Sequence, residues 1–228
     1  MRYLIGPEGK QQFLSEPLGV PIVVDVLRAS STIVAALWAG ASEVIPIEFA
    51  GEALEIGKKM GAVLVGERGG KKIDGFDLNN SPSEIFSADL KGRTVVITTS
   101  NGTRIMVEGG IIGSTLNAGA VAQHVMANDR TFLLASDPLK SEEDLDAASL
   151  IEVIALMLGR GYFMYEAERF IQNDVECQHL LDCIRHTPAG EKVARLGYQN
   201  DIDMICRDVN RFPIVPIYKN GSIKVHKE

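Results

Sequence analysis

Four short polar clusters in the first half of the chain combine residue types that can do chemistry. They are Asp25-Val26-Leu27-Arg28-Ala29-Ser30-Ser31-Thr32, Gly66-Glu67-Arg68-Gly69-Gly70, Asn79-Asn80-Ser81-Pro82 and Thr98-Thr99-Ser100-Asn101-Gly102-Thr103-Arg104. Each stands where an apolar strand is expected to end. Carboxylates, arginines, small hydroxyls and glycines gathered at strand ends suit a metal ion and an anionic ligand. In open α/β sheets, ligands bind in the crevice beyond the carboxyl ends of the strands.

Asp25 breaks a run that is otherwise apolar, so it is either paired or placed where the strand opens to solvent, because a buried unpartnered carboxylate is costly. Arg28 follows three residues later, and Ser30, Ser31 and Thr32 fall in the expected first turn of a helix, where free N–H groups and the dipole favour anions. A helix cap with an Asp–Arg pair explains the same residues without function. The cluster ending in Arg104 repeats the design, with a glycine that lets backbone approach a ligand and a guanidinium suited to phosphate, sulfonate or carboxylate. Its bland alternative is a Ser/Asn helix cap. Glu67 and Arg68 open a polar loop continued by Lys71, Lys72, Asp74, Asp77, Asn79 and Asn80. Such a loop is either a site or a solvated surface. Glu143 and Asp144 begin a helix, where acids are common as capping groups.

Several phosphate chemistries are excluded. There is no Gly-x4-Gly-Lys-Ser/Thr loop, no cysteine followed by arginine six residues later, no second aspartate two residues after Asp25, and no Gly-x-Ser-x-Gly elbow. Cys177, His179, Cys183 and His186 invite a zinc reading. On a helix only the last three share a face, so core cysteines and surface histidines are preferred to a four-ligand site.

The elements that must position these groups alternate. Strands are expected at Pro21–Val26, Val44–Ile47, Ala62–Val65, Thr94–Thr98, Gly110–Gly113 and Thr131–Ala135, with helices at Ala29–Ala39, about Gly51–Met60, Thr103–Glu108, Ala118–Met126 and Glu142–Leu158. Such alternation implies crossover units and a largely parallel sheet covered on both faces. Tyr162–Ile184 reads as helical and amphipathic, followed by shorter helices at Glu191–Leu196 and Asn200–Asp208. Ile214–Tyr218 and Ser222–Val225 flank Asn220-Gly221, a hairpin turn signal. Pro216 places that hairpin at a sheet edge. With no linker, repeat or low-complexity tract, one domain over 1–228 is the economical organisation.

Bulk properties narrow the function. Of 228 residues, 46% are hydrophobic and 23% charged, ordinary for a soluble globular protein. The formal charge of −7 argues against a general nucleic-acid binder. No apolar run is long enough to span a bilayer, the N-terminus lacks a secretory pattern, and three cysteines make no disulfide framework. A cytoplasmic protein is expected.

Together and in order, Val24-Asp25-Val26-Leu27-Arg28-Ala29, Gly66-Glu67-Arg68, Gly75-Phe76-Asp77 with Asn80-Ser81-Pro82, Thr99 with Asn101-Gly102-Thr103, Asn117, and Glu143-Asp144 resemble the 2-phosphosulfolactate phosphatase family over nearly the whole chain. Asn79, Ser100 and Ser149 depart from the usual residues. The resemblance implies a three-layer α/β/α sandwich with a mixed, mostly parallel sheet and, with the hairpin above, an antiparallel C-terminal edge. It also implies magnesium-dependent acid phosphatases that release phosphate from 2-phospho-3-sulfolactate, a step toward coenzyme M.

The expected chemistry is metal-assisted hydrolysis of a phosphate monoester. Mg²⁺ takes oxygen ligands, and Asp25, Glu67 and Asp144 are the preferred ligands or anchors, with Glu143 as alternate. Asp25, Arg28, Glu67 and Arg104 form the catalytic set. Arg28, Arg68 and Arg104 are assigned to the substrate's phosphate, sulfonate and carboxylate charges, and Ser30, Ser31, Asn80, Ser81, Ser100, Asn101, Gly102 and Thr103 to hydrogen bonds with it. Rival readings are a non-catalytic module binding a sulfonated or carboxylated metabolite, and an interaction role in which the apolar stripe of the last third serves a homodimer. The acids beside the arginines argue against pure anion capture.

Overall fold

The computed structural model describes residues 2–17, 19–126, 128–137 and 141–226. In chain order the elements are β1 (Arg2–Ile5), α1 (Gly6–Ser15), β2 (Val20–Val24), α2 (Ala29–Trp38), β3 (Glu43–Pro46), α3 (Ala50–Met60), β4 (Val63–Arg68), β5 (Lys71–Lys72), α4 (Pro82–Phe86), β6 (Thr94–Thr98), β7 (Ile111–Gly113), α5 (Ala118–Val125), β8 (Arg130–Leu134), α6 (Glu142–Gly159), α7 (Met164–Asn173), α8 (Val175–His186), α9 (Pro188–Arg195), α10 (Gln199–Arg207), β9 (Pro216–Lys219) and β10 (Ser222–Val225). The strands form one sheet in the order β1-β8-β2-β7-β9-β10-β3-β6-β4-β5. Two parallel blocks, β1-β8-β2-β7 and β3-β6-β4, flank the β9–β10 hairpin.

Side-chain alternation along the strands builds cores on both faces. On β2, Ile22 and Val24 face α5 and α6, whereas Val23 faces the core shared with α2. On β4 and β6, Val63, Val65, Val95 and Ile97 join that same core, and Leu64 and Val96 turn outward to Ala53 of α3. Helix α2 thus packs between the two strand blocks. Every residue from Ala29 to Leu37 is buried, as befits a helix apolar or small all round. Its first turn is therefore fixed from all sides, directly beyond β2.

The hairpin is antiparallel, as its turn residues require. Asn220 and Gly221 both take positive φ, 52° and 81°. It does not lie at an edge, however. It sits inside the sheet, touching β7 at Ile111 and β3 at Val44. Pro216 tolerates this because it opens β9, and the bonds to the β7 side are made by Tyr218 instead. The antiparallel edge is supplied by β5 on β4. Two further expectations change. A 3-10 turn over Gly102–Ile105 replaces the helix expected at Thr103–Glu108. The helical stretch after Tyr162 breaks at Asp174, whose side chain caps α8 by accepting from the Cys177 N–H at 2.9 Å. Among the described residues no helix is long and apolar enough to cross a membrane.

Candidate active site

The loops leaving β2, β4, β6 and β8 meet in a cleft of about 220 Å³, lined among others by Asp25, Arg28, Glu67, Asn80, Ser100 and Glu143. Helix α9 forms the opposite wall through Pro188, Ala189, Lys192 and Val193. Residues separated by more than a hundred positions converge here because parallel strands deliver their carboxyl ends to one side of the sheet.

Asp25 is buried and its carboxylate takes the N–H groups of Ala29, at the start of α2, and of Gly102. Gly102 is required by this approach. A Cβ there would lie 2.6 Å from Asp25 Oδ2 and 2.5 Å from Ala29 Cβ. Burial, reinforced by the charges of Glu67 and Glu143, pushes the Asp25 carboxyl up to about 7. Asp144 lies behind it, almost wholly buried, accepting from the Val26 N–H at 2.7 Å and from the Ser136 hydroxyl. Burial, then the charge of Asp25, holds Asp144 well above the usual carboxylate range. Burial also raises Glu143, whose Oε1 accepts from Ser136 Oγ at 3.1 Å. Its Oε2 is buried with no hydrogen-bond partner among the described residues, and so is Oδ1 of Asn80.

Glu67 ends β4 as a well-held carboxylate. Oε1 accepts from the Ser100 N–H at 2.6 Å, and Oε2 from the Gly70 N–H at 2.6 Å and Ser100 Oγ at 3.1 Å. Arg28 is fixed as firmly. Its Nη1 donates to Asp201 Oδ2 at 2.8 Å and Nη2 to the Gly70 carbonyl at 3.2 Å, and the guanidinium lies 4.4 Å from the Tyr198 ring centroid. Asp201, fully buried on α10, also accepts from Ser81 Oγ, Ser83 Oγ and the Ser83 N–H. This carboxylate was not singled out in the sequence. It lies 173 positions from Arg28 among ordinary helical charges. Lys192 went unnoticed for the same reason.

The remaining expected residues divide. Asn80, Ser100 and Asn101 line the cleft with Asp25, Arg28, Glu67 and Glu143. Ser30 holds the Asp25 backbone, Ser31 bonds the Val26 carbonyl and Ser114, Ser81 caps α4, and Thr103 bonds Thr99; all four are committed to the fold. Arg68 and Arg104 lie outside the cleft. Arg68 donates to the Glu48 carbonyl and Thr98 Oγ1, and Arg104 pairs with Glu48 at 3.3 Å while half exposed. Adjacent residues of a strand face opposite sides, so Glu67 and Arg68 do not share the cleft. Of the cysteines and histidines that invite a zinc site, Cys177 belongs to the core and Cys183 Sγ lies 3.4 Å from His179 Nε2.

The donor set fits a hard cation. It consists of carboxylate and amide oxygens, two of them buried and unpartnered. Among the described residues the lining holds four acids, Asp25, Glu67, Asp137 and Glu143, and two cations, Arg28 and Lys192. Among the described residues no three His, Cys, Asp or Glu side chains form a metal cage by themselves. Glu67 already accepts three N–H and O–H donors, whereas Glu143 Oε2 has no hydrogen-bond partner among the described residues, so Asp25 and Glu143 are the carboxylates that would hold such a cation.

A model of the 2-phosphosulpholactate phosphatase family matches residues 7–221. A probable 2-phosphosulfolactate phosphatase of Caldanaerobacter subterraneus subsp. tengcongensis is 33% identical, covering 91% of this chain and 90% of its own. Similarly named proteins of Thermotoga maritima and Clostridium tetani are 35% and 33% identical, over 88% and 89% of this chain and 89% and 91% of their own. The elements that carry the cleft, from β2 to α10, lie within the matched span, and the chain belongs to the 2-phosphosulpholactate phosphatase family.

Proposed function

We propose that the chain hydrolyses the phosphate ester of 2-phospho-3-sulfolactate, giving 3-sulfolactate and inorganic phosphate, with Mg²⁺ as the cofactor. The names of its relatives support the substrate class. The observation that carries the reading is the convergence of Asp25, Glu67, Glu143 and Arg28 on one cleft at the strand ends.

The cation follows from charge. A polyanionic substrate approaching four carboxylates and two cations meets a repulsive field. Mg²⁺ suits this lining because it is commonly held by one or two carboxylates together with substrate phosphate and water. Asp25 and Glu143 would hold it. When bound it would neutralise phosphoryl oxygens and orient the displacement.

The chain's own residues do the rest. Arg28, clamped by Asp201 and stacked on Tyr198, presents its guanidinium at a fixed angle to an anionic oxygen. Glu67 fixes the loops bearing Gly70 and Ser100 and keeps the cleft wall in register. Asn80 offers an unpartnered amide oxygen. Hydrolysis breaks the bond from phosphorus to the ester oxygen, adds the elements of water, and leaves the departing oxygen with a proton. Asp25, which lines the cleft, is the carboxylate that would meet the phosphoryl group. Trapping of a phosphoenzyme separates attack by its carboxylate from direct attack by water.

The test is phosphate release from 2-phospho-3-sulfolactate with chelator, then with Mg²⁺ restored. Turnover lost to chelator and recovered with Mg²⁺ is expected. Full turnover in excess chelator would remove the metal, and no turnover under either condition would remove the substrate.

A further inference from the structure

The proposed substrate carries a phosphate, a carboxylate and a sulfonate, and among the described residues two cations, Arg28 and Lys192, line the cleft. Arg28 is already ion-paired with Asp201, side chains 2% and 0% exposed. Lys192 has no ion pair or side-chain hydrogen bond with any described residue, and it lines the cleft from α9 together with the acids. Its reach is set by packing. A Cβ on Gly70 would meet Leu196 Cδ1 at 2.4 Å and Lys192 Cε at 3.9 Å, so the lysine stem runs over the turn that Glu67 and Arg28 hold.

We propose that Lys192 is the specificity-determining residue of the cleft, binding the sulfonate of the leaving hydroxy acid. The inference rests on the phosphatase reading above. An ammonium is a compact point charge with three rotatable donors that suits a three-oxygen tetrahedral anion; with the phosphate assigned to Mg²⁺ in the reading above and the Arg28 fork already engaged by Asp201, the sulfonate falls to the lysine. Leu27, Ala135 and Val193 in the same lining offer the carbon skeleton apolar surface.

The experiment compares kcat/KM for 2-phospho-3-sulfolactate and for 2-phospholactate, which keeps the carboxylate and lacks the sulfonate. In Lys192→Ala the ratio of the two is expected to fall roughly 10- to 100-fold, the range for losing a charge-assisted hydrogen bond. Lys58→Ala, on α3 away from the cleft, keeps the wild-type ratio. An unchanged ratio in Lys192→Ala, whether both substrates suffer or neither does, overturns the proposal. Calorimetric titration with 3-sulfolactate and with lactate judges the subsite independently of turnover. Tighter binding of 3-sulfolactate by the wild type, abolished in Lys192→Ala, supports it, and equal binding of the two overturns it. A wild type that binds 3-sulfolactate in this way but hydrolyses neither ester discards the phosphatase reading alone.

Discussion

At the scale of single residues, Asp25 sets function against stability. Burial pushes its carboxyl up to about 7 in the folded chain, from the ordinary 3.8. Below about pH 4 both folded and unfolded chains hold this proton and the group is neutral in the balance. As pH rises toward 7 the unfolded chain releases its proton first, so metal-free stability falls, and above 7 the whole penalty applies. Asp25→Asn is therefore expected to abolish phosphate release yet raise the pH 8 stability of the metal-free protein by roughly 1–3 kcal/mol. Activity assays and urea melts at pH 5 and 8 check both halves, and the gain should shrink at pH 5. The arginines separate just as sharply. Arg104→Ala removes only a half-exposed pair with Glu48, so kcat/KM should stay within about twofold of wild type. Arg28→Lys loses the fork that joins Asp201 and Gly70 and should cost at least about 100-fold. Equal losses for the two would return Arg104 to the site.

Elements decide which of these residues meet. The loops after β2 and β6 touch through Gly102, so Gly102→Ala should force them apart, destabilising by about 1–3 kcal/mol and depressing kcat far more than a surface substitution. Asp201→Ala should cost about 3–5 kcal/mol, since it strands Arg28 as a buried unpaired charge; unchanged thermal melts would show that Arg28 finds another partner. Much of this scaffold was legible in sequence. The apolar β-branched runs marked β2 and β6, and Asn220-Gly221 marked the hairpin, because turn and strand chemistry is local. The position of that hairpin inside the sheet was not legible, because which blocks flank it depends on long-range pairing. Strand alternation turns Arg68 away from the cleft that Glu67 lines, a signal present in the sequence. Asp201 and Lys192 carried no local signal, since their significance exists only once α9 and α10 fold over the cleft.

At the scale of the whole molecule, the fold gathers carboxylates into one place and leaves their repulsion unsatisfied. A chain of net charge −7 that buries Asp25, Glu143 and Asp144 together holds these acids against the cost of desolvation and mutual repulsion. A cation that binds only the folded state reverses that cost, stabilising by RT ln(1 + [L]/Kd), about 2.7 kcal/mol at a hundredfold excess over Kd. For a chain of this length that corresponds to a rise in Tm of roughly 5–10 °C. Mg²⁺ should therefore raise the melting temperature at pH 8. At pH 5.5 the shift should shrink, because protons compete for carboxyls whose affinities for them are raised. Glu143→Gln should weaken it at both, since the variant keeps the shape of the site and removes a carboxylate proposed to hold the cation. Thermal melts with Mg²⁺, with chelator and with Na⁺ at matched ionic strength check this without any substrate. Equal shifts for Mg²⁺ and Na⁺ would reduce the effect to general screening of a negative surface, and an undiminished shift in Glu143→Gln would move the cation away from the cleft.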